Sequence, residues 1–238
     1  MQTVTSIRRF GATLKALGLA TALAASSAGA AIVWDLNPQN QDGVTLGPSQ
    51  NFTEQGFTIT ARGFDDSDRN GIGTPTNLYF KNRPPSGGAG ESGLGLAVSP
   101  HNEVNGSATG PANFIQLDLR SILQQGATNG QIAVTSLQNG ESFQLFGSNA
   151  EGQLGIAISG LFTGLAFDDR FVAIPQFGAF SFISITGAGN GSNVLPSRFA
   201  ADITPIPEIG TMMPIVGLLV AIGATHVLRR RRASALGA

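Results

Sequence analysis

Between residues 31 and 205 the chain is cut into short apolar runs by glycine and Asn-Gly pairs, and no stretch is long enough for a sustained helical period. The 32 glycines include five that follow asparagine, at Asn70, Asn105, Asn129, Asn139 and Asn190. Asn-Gly suits the tight turns that join antiparallel strands, because both residues tolerate positive φ. Pro84-Pro85 is read as a further break. The intervening runs alternate with period two. In "GFTITARGF", Phe57, Ile59 and Ala61 share one face, while Thr58, Thr60 and Arg62 take the other. In "FIQLDL", Ile115, Leu117 and Leu119 oppose Gln116 and Asp118, and in "ESFQLFGS" Phe143 and Leu145 turn inward if Gln144 is exposed.

Strands are expected at 31–36, 56–64, 77–81, 93–98, 113–119, 131–137, 142–146, 154–158, 170–174, 179–186 and 193–203, with one helical turn in "LRSILQQ" at 119–125. Many short strands at this spacing specify an all-β fold, an antiparallel β-sandwich or jelly roll over residues 31–204. About 175 residues suffice for one domain with its own core.

The two ends differ from this body. Arg8, Arg9 and Lys15 precede the apolar stretch Ala16 to Ala25, and Ala28 and Ala30 are the small residues at −3 and −1 of a signal-peptidase site. Residues 1–30 thus read as a signal peptide. Phe10-Gly11 fits a twin-arginine signal poorly, which favours the general secretory route. Without its ends, the body has seven basic and fourteen acidic residues, a formal charge of −7 that the near-neutral total conceals. Such a charge argues against nucleic acid as a partner. With no cysteine, neither a disulfide nor a thiol-linked lipid is available to the exported chain.

At the C-terminus, 17 uncharged residues from Met212 to Leu228 precede Arg229, Arg230, Arg231 and Arg232. As a helix the segment would span roughly 25 Å, the short end of what crosses a bilayer. The arginines supply a positive-inside stop, leaving the body outside.

Candidate chemistry in the body is sparse. "FDDSDRNGIG" places Asp66, Asp68, Asn70 and Gly71 as the opening of a calcium loop does, but Asn77 stands where a bidentate Glu is required and no helix flanks it. An EF-hand is rejected. A non-helical calcium turn on Asp66, Asp68 and Asn70 is the metal reading of this stretch, beside that of an ordinary solvated turn. Glu91, His101, Asn102 and Glu103 form a second loop cluster that could gather beside a ligand or metal. No catalytic residue is assigned: the carboxylate pairs Asp65/Asp66 and Asp168/Asp169 are adjacent and would face opposite sides of a strand, there is no G-x-S-x-G elbow, and "PPSGGAGESG" lacks the Lys-Ser/Thr of a phosphate loop.

Pro207-Glu208, then the apolar segment 212–228, then Arg229 to Arg232, resembles the PEP-CTERM sorting signal of exported bacterial proteins. Ile209 departs from the commonest form, which has a second proline there, while Gly210-Thr211 keeps its small, polar character. "LYFKN", "GESGLGL", "HNEV", "FIQLDL", "ESFQLFGSNAEGQLG" and "FSFISITG…NVL" also run in the order of the β-sandwich domains that such proteins carry. The resemblance implies recognition of Pro207 and Glu208 by an exosortase, a membrane-embedded cysteine transpeptidase. It also implies passage through the inner membrane to the cell surface or extracellular matrix, in a host that makes exopolysaccharide or biofilm. The expected role is structural, adhesive or polysaccharide-associated and not enzymatic. A secreted carbohydrate-active enzyme on a jelly-roll scaffold and a permanently anchored, calcium-stabilised adhesin are the alternatives.

Cleavage by signal peptidase after Ala30 should leave a mature chain beginning at Ala31. N-terminal sequencing of the exported protein tests this, and a start at Met1 or Gln2 would reject it.

Overall fold

The structure, a computed structural model, describes residues 30–98, 101–107, 109–203, 218, 221–223 and 225. Ala28, Pro207, Glu208 and Arg229 to Arg232 lie outside the described residues, as does most of 212–228. Among the described residues, no helix is long and apolar enough to cross a membrane.

The chain opens with β1 (Ala30–Asp35), β2 (Val44–Thr45), β3 (Ser49–Glu54), β4 (Phe57–Asp65), β5 (Thr74–Thr76), β6 (Leu78–Ser86) and β7 (Ala89–Leu96). It continues through β8 (Val104–Ser107), β9 (Gly110–Pro111), β10 (Asn113–Asp118), the short helix α1 (Arg120–Gln124), β11 (Thr128–Thr135) and β12 (Ser142–Ser148). The last part holds β13 (Ile156–Ala157), β14 (Phe162–Thr163), a 3-10 turn at Leu165–Phe167, β15 (Arg170–Ala173), β16 (Phe182–Gly187) and β17 (Asn193–Ile203). The fold is all-β, and every ladder between these strands is antiparallel.

Three sheets share the work. One is ordered β15-β11-β17-β8-β9, with β1 also on β17; a second runs β13-β12-β16-β10-β4-β3, with β14 and β5 at its margins; the third is β2-β6-β7. All three feed one core, which joins Ile32 and Trp34 of β1, Ile59 of β4, Leu78 of β6, Leu94 of β7, Ile115 of β10, Leu145 of β12 and Phe199 of β17. Alternation decides which residues enter it: Ile32 and Trp34 are buried while Val33 between them is 41% exposed. Trp34 packs at a tilt against Phe199 of its own sheet, with ring centroids 5.3 Å apart, and ties that sheet to β4 by donating its Nε1–H to the Phe57 carbonyl at 3.0 Å.

Several boundaries differ from the sequence expectation for identifiable reasons. Pro84-Pro85 does not break the chain but lies inside β6, at a register shift beyond the reach of β2, where a missing N–H costs no ladder bond. Asn129-Gly130 is likewise a bulge in β11, with Asn129 at φ 53°, and Asn105-Gly106 is within β8. Gln116 faces away from the main core yet is fully buried. The segment after β12 folds over it: Gln116 donates to the Gln153 carbonyl at 2.9 Å and accepts the Gly152 N–H at 3.0 Å. Beside it, Phe64, Phe114 and Leu154 form a second small core.

β8 and β16 approach backbone to backbone, and glycine permits it. A Cβ at Gly187 would stand 2.5 Å from the Gly106 nitrogen, and one at Gly106 would stand 2.7 Å from the Gly187 carbonyl carbon. Gly187→Ala should therefore destabilise the fold by about 1–3 kcal/mol, a fall in melting temperature of roughly 2–4 °C per kcal/mol. Calorimetry showing an unchanged midpoint would contradict this packing.

Candidate functional site

The most unusual group in the body is a lysine buried between two glutamates. Leu78 and Phe80 of β6 point into the core, so Lys81 takes the opposite face of the strand. Its register partner in β7 is Gly93, and Glu91, two residues away, shares that face. Glu103, immediately before β8, closes the third side. Lys81 Nζ donates to Glu103 Oε1 at 2.5 Å and lies 2.9 Å from Glu91 Oε2. Relative side-chain exposures of 7% for Lys81, 4% for Glu103 and 12% for Glu91 put the group nearly out of water.

The surroundings hold these atoms in place. Ser136 follows β11, donating its hydroxyl to Glu103 Oε1 at 3.0 Å and its backbone N–H to the Gly90 carbonyl at 2.6 Å. Asn37 donates to the Lys81 carbonyl at 3.0 Å, fixing the backbone beneath the lysine. A Cβ at Gly93 would sit 2.7 Å from the Pro196 carbonyl oxygen, so β7 is pressed directly onto β17 opposite Lys81.

Charge is unevenly matched here. Burial alone would push the Lys81 ammonium down, but hydrogen bonds and attraction from Glu103 and Glu91 outweigh it and hold it above its ordinary value. One lysine cannot neutralise two carboxylates, and the surplus reaches Glu141. Burial raises the Glu141 carboxyl, and the charges of Glu103 and Glu91 add to the rise, against N–H bonds from Gln138 and Asn193. A carboxyl raised on folding favours the folded state most below its unfolded value. That contribution is lost as pH rises through the folded value, so ionised Glu141 costs stability at neutral pH.

Of the predicted second cluster, the structure therefore brings together Glu91 and Glu103. His101 is exposed, and Asn102 is half-buried at φ 57°. The organising residue, Lys81, was legible only as a charge inside the apolar run "LYFKN".

The predicted calcium residues form a compact turn. The two carboxylate oxygens of Asp66 accept the N–H groups of Asn70 and Gly71, each at 3.1 Å, and Asn70 Oδ1 accepts the Ile72 N–H at 2.8 Å. Asp66 is buried, whereas Asp68 and Asn70 are exposed. These are the side-chain-to-backbone bonds of the solvated-turn reading. Among the described residues, no three His, Cys, Asp or Glu side chains gather as a metal-holding group. Asp168 and Asp169 part company: Asp168 accepts the N–H groups of Leu137 and Gly90, while Asp169 pairs with Arg198 at 2.8 Å.

A groove of about 250 Å³ lies between the segment after β1 and the sheet-edge strand β3. Gln39, Gln41, Gln50, Asn51, Thr53 and Glu54 line it, and Trp34 and Phe80 form part of its lining while remaining largely buried. The amides of Gln39, Gln41, Gln50 and Asn51 and the hydroxyl of Thr53 are groups that can hydrogen-bond sugar hydroxyls.

No protein-family model, curated protein or solved structure matches the chain significantly.

Lys81→Met would leave two buried carboxylates without their cation. It should cost about 3–5 kcal/mol by denaturant titration. A loss below about 1 kcal/mol would mean that water already neutralises the site.

Proposed function

We propose that the protein is an exported, non-enzymatic β-sandwich, sorted through its C-terminal signal to the cell surface or matrix, where it serves a structural or adhesive role in contact with polysaccharide. The observation that carries this reading is the pairing of the body's first and last strands. Ala30 stands opposite Ile203, so the predicted signal peptide and sorting tail leave the domain side by side. That arrangement suits a folded domain still joined to a membrane segment at each end.

The groove, with amides beside aromatic rings, supports the adhesive part. It opens beside Trp34 and Asp35, at the far end of β1 from Ala30. At roughly 3.3 Å per residue, about 17 Å separates the two ends of that strand. A body held at its termini would turn the groove outward, away from the bilayer. In this reading signal peptidase and an exosortase are partners in processing, and exopolysaccharide is the partner at the destination.

A stop-transfer helix needs length, apolarity and flanking positive charge, and is indifferent to one carboxylate outside it. A sorting enzyme must read the motif. In a host that possesses an exosortase, Glu208→Ala should leave export intact yet trap the full-length tail in the inner membrane. Equal surface delivery of Glu208→Ala and parent, with identical processed masses, would reduce the tail to a plain anchor.

A further inference from the structure

We propose that Lys81 and Glu103 become joined by an intramolecular amide bond after folding, with Glu91 carrying the proton. An ammonium and a carboxylate are already in contact at 2.5 Å, with the Lys81 backbone fixed by the β6–β7 ladder and Asn37, and the Glu103 carboxylate held by the Ser136 hydroxyl. Holding two reactants in this way can supply effective concentrations of about 10⁵–10⁸ M. The site excludes most water, which otherwise competes as nucleophile and solvates the charges.

The surplus carboxylate is what makes the step balance. The resting group holds an ammonium and two carboxylates. Glu91 takes a proton from Lys81 Nζ and passes it to Glu103, leaving a neutral amine beside a neutral carboxylic acid. Nζ then attacks the Glu103 carboxyl carbon, and the N–C bond forms as the C=O pair moves onto oxygen. The Ser136 hydroxyl already donates to Glu103 Oε1 at 3.0 Å, where it can stabilise that developing negative charge. Glu91 removes the second proton from nitrogen and delivers it to the departing hydroxyl, the C–O bond breaks, and one water leaves. Glu91 ends as it began, a carboxylate, now able to accept the new amide N–H. No oxidant or activating group is consumed, and two of three buried charges disappear.

The carboxylates favour the ammonium over the amine, so the reaction is slow and belongs to the folded state alone. Its product links β6 to the start of β8 across a sequence separation of 22 residues. In a chain without cysteine, this would be a covalent staple indifferent to redox conditions.

The test is tandem mass spectrometry of the full chain, purified natively, kept folded at neutral pH and then digested with chymotrypsin, which cuts after Leu94 and Leu96 between the two residues. The expected product is a branched peptide joining Lys81 to Glu103, lighter than its two parts by one water. Lys81→Arg should yield only linear peptides. Glu91→Gln keeps the Lys81–Glu103 contact and should slow branching by about 10²–10⁴-fold. Natively folded parent protein whose peptides are all linear, with a free Lys81, would overturn the proposal. Branching in Glu91→Gln at the parental rate would overturn the role given to Glu91. The parent and Glu91→Gln decide the matter even if Lys81→Arg does not fold.

Discussion

The architecture depends on β17. It pairs with β11 along one side and with β8 and β1 in succession along the other, so three strands are organised by one. Pro196 falls at the irregularity in the β11 ladder and in the gap between the β8 and β1 pairings, where a residue without an N–H is tolerated. Phe199 carries the strand into the core against Trp34, and Leu195 meets β7 near Gly93 and Gly95. Because β17 is the last strand of the body to be synthesised, this sheet cannot be assembled progressively. Its ladders join residues far apart in sequence, a topology that folds slowly. In the proposed export route the domain would cross the membrane unfolded and assemble afterwards, which such an order suits.

Lys81 occupies a comparable position among the side chains. Three separate segments, β6, β7 and the residues before β8, meet at one ammonium group, and Ser136 adds the end of β11. Burial makes the interaction conditional. Each charge is tolerable only while its partners are present, which ties the placement of all four segments together more sharply than apolar contact could. The close passage of Gly106 over Gly187 does the same by shape where charge is absent.

Alternation and turn chemistry made the long strands readable. β17 occupies the predicted 193–203, and β1, β4 and β10 fall within a residue or two of expectation because apolar and polar residues alternate cleanly there. The strands that escaped notice, such as β3 with its sequence "SQNFTE" and β5 with "TPT", are polar; pairing with β4 makes them strands, and pairing leaves no local pattern. Asn-Gly and Pro-Pro misled where a bulge used the same backbone freedom as a turn. The site was half visible. Glu91 and Glu103 stood out as acids in a glycine-rich stretch, but convergence on Lys81 depends on the β6–β7 register, which the sequence does not state. Alternation places Gln116 only on the face opposite Ile115 and Leu117; its burial there rests on hydrogen bonds to Gln153, Ser184 and Gly152, which no local pattern announces.

The adjacency of Ala30 and Ile203 also decides how the domain would bear force. A tension applied at Ile203 along β17 acts parallel to that strand and across its hydrogen bonds to β1 and β11. The bonds of both ladders are then loaded together in shear, and none can open singly in the manner of a zipper. If resistance comes from a ligand held in the groove beside Asp35, the pull runs nearly the full length of β1. Its paired neighbour carries the load back to Ile203, so the longest strand among the described residues is also the one placed in line with the strain.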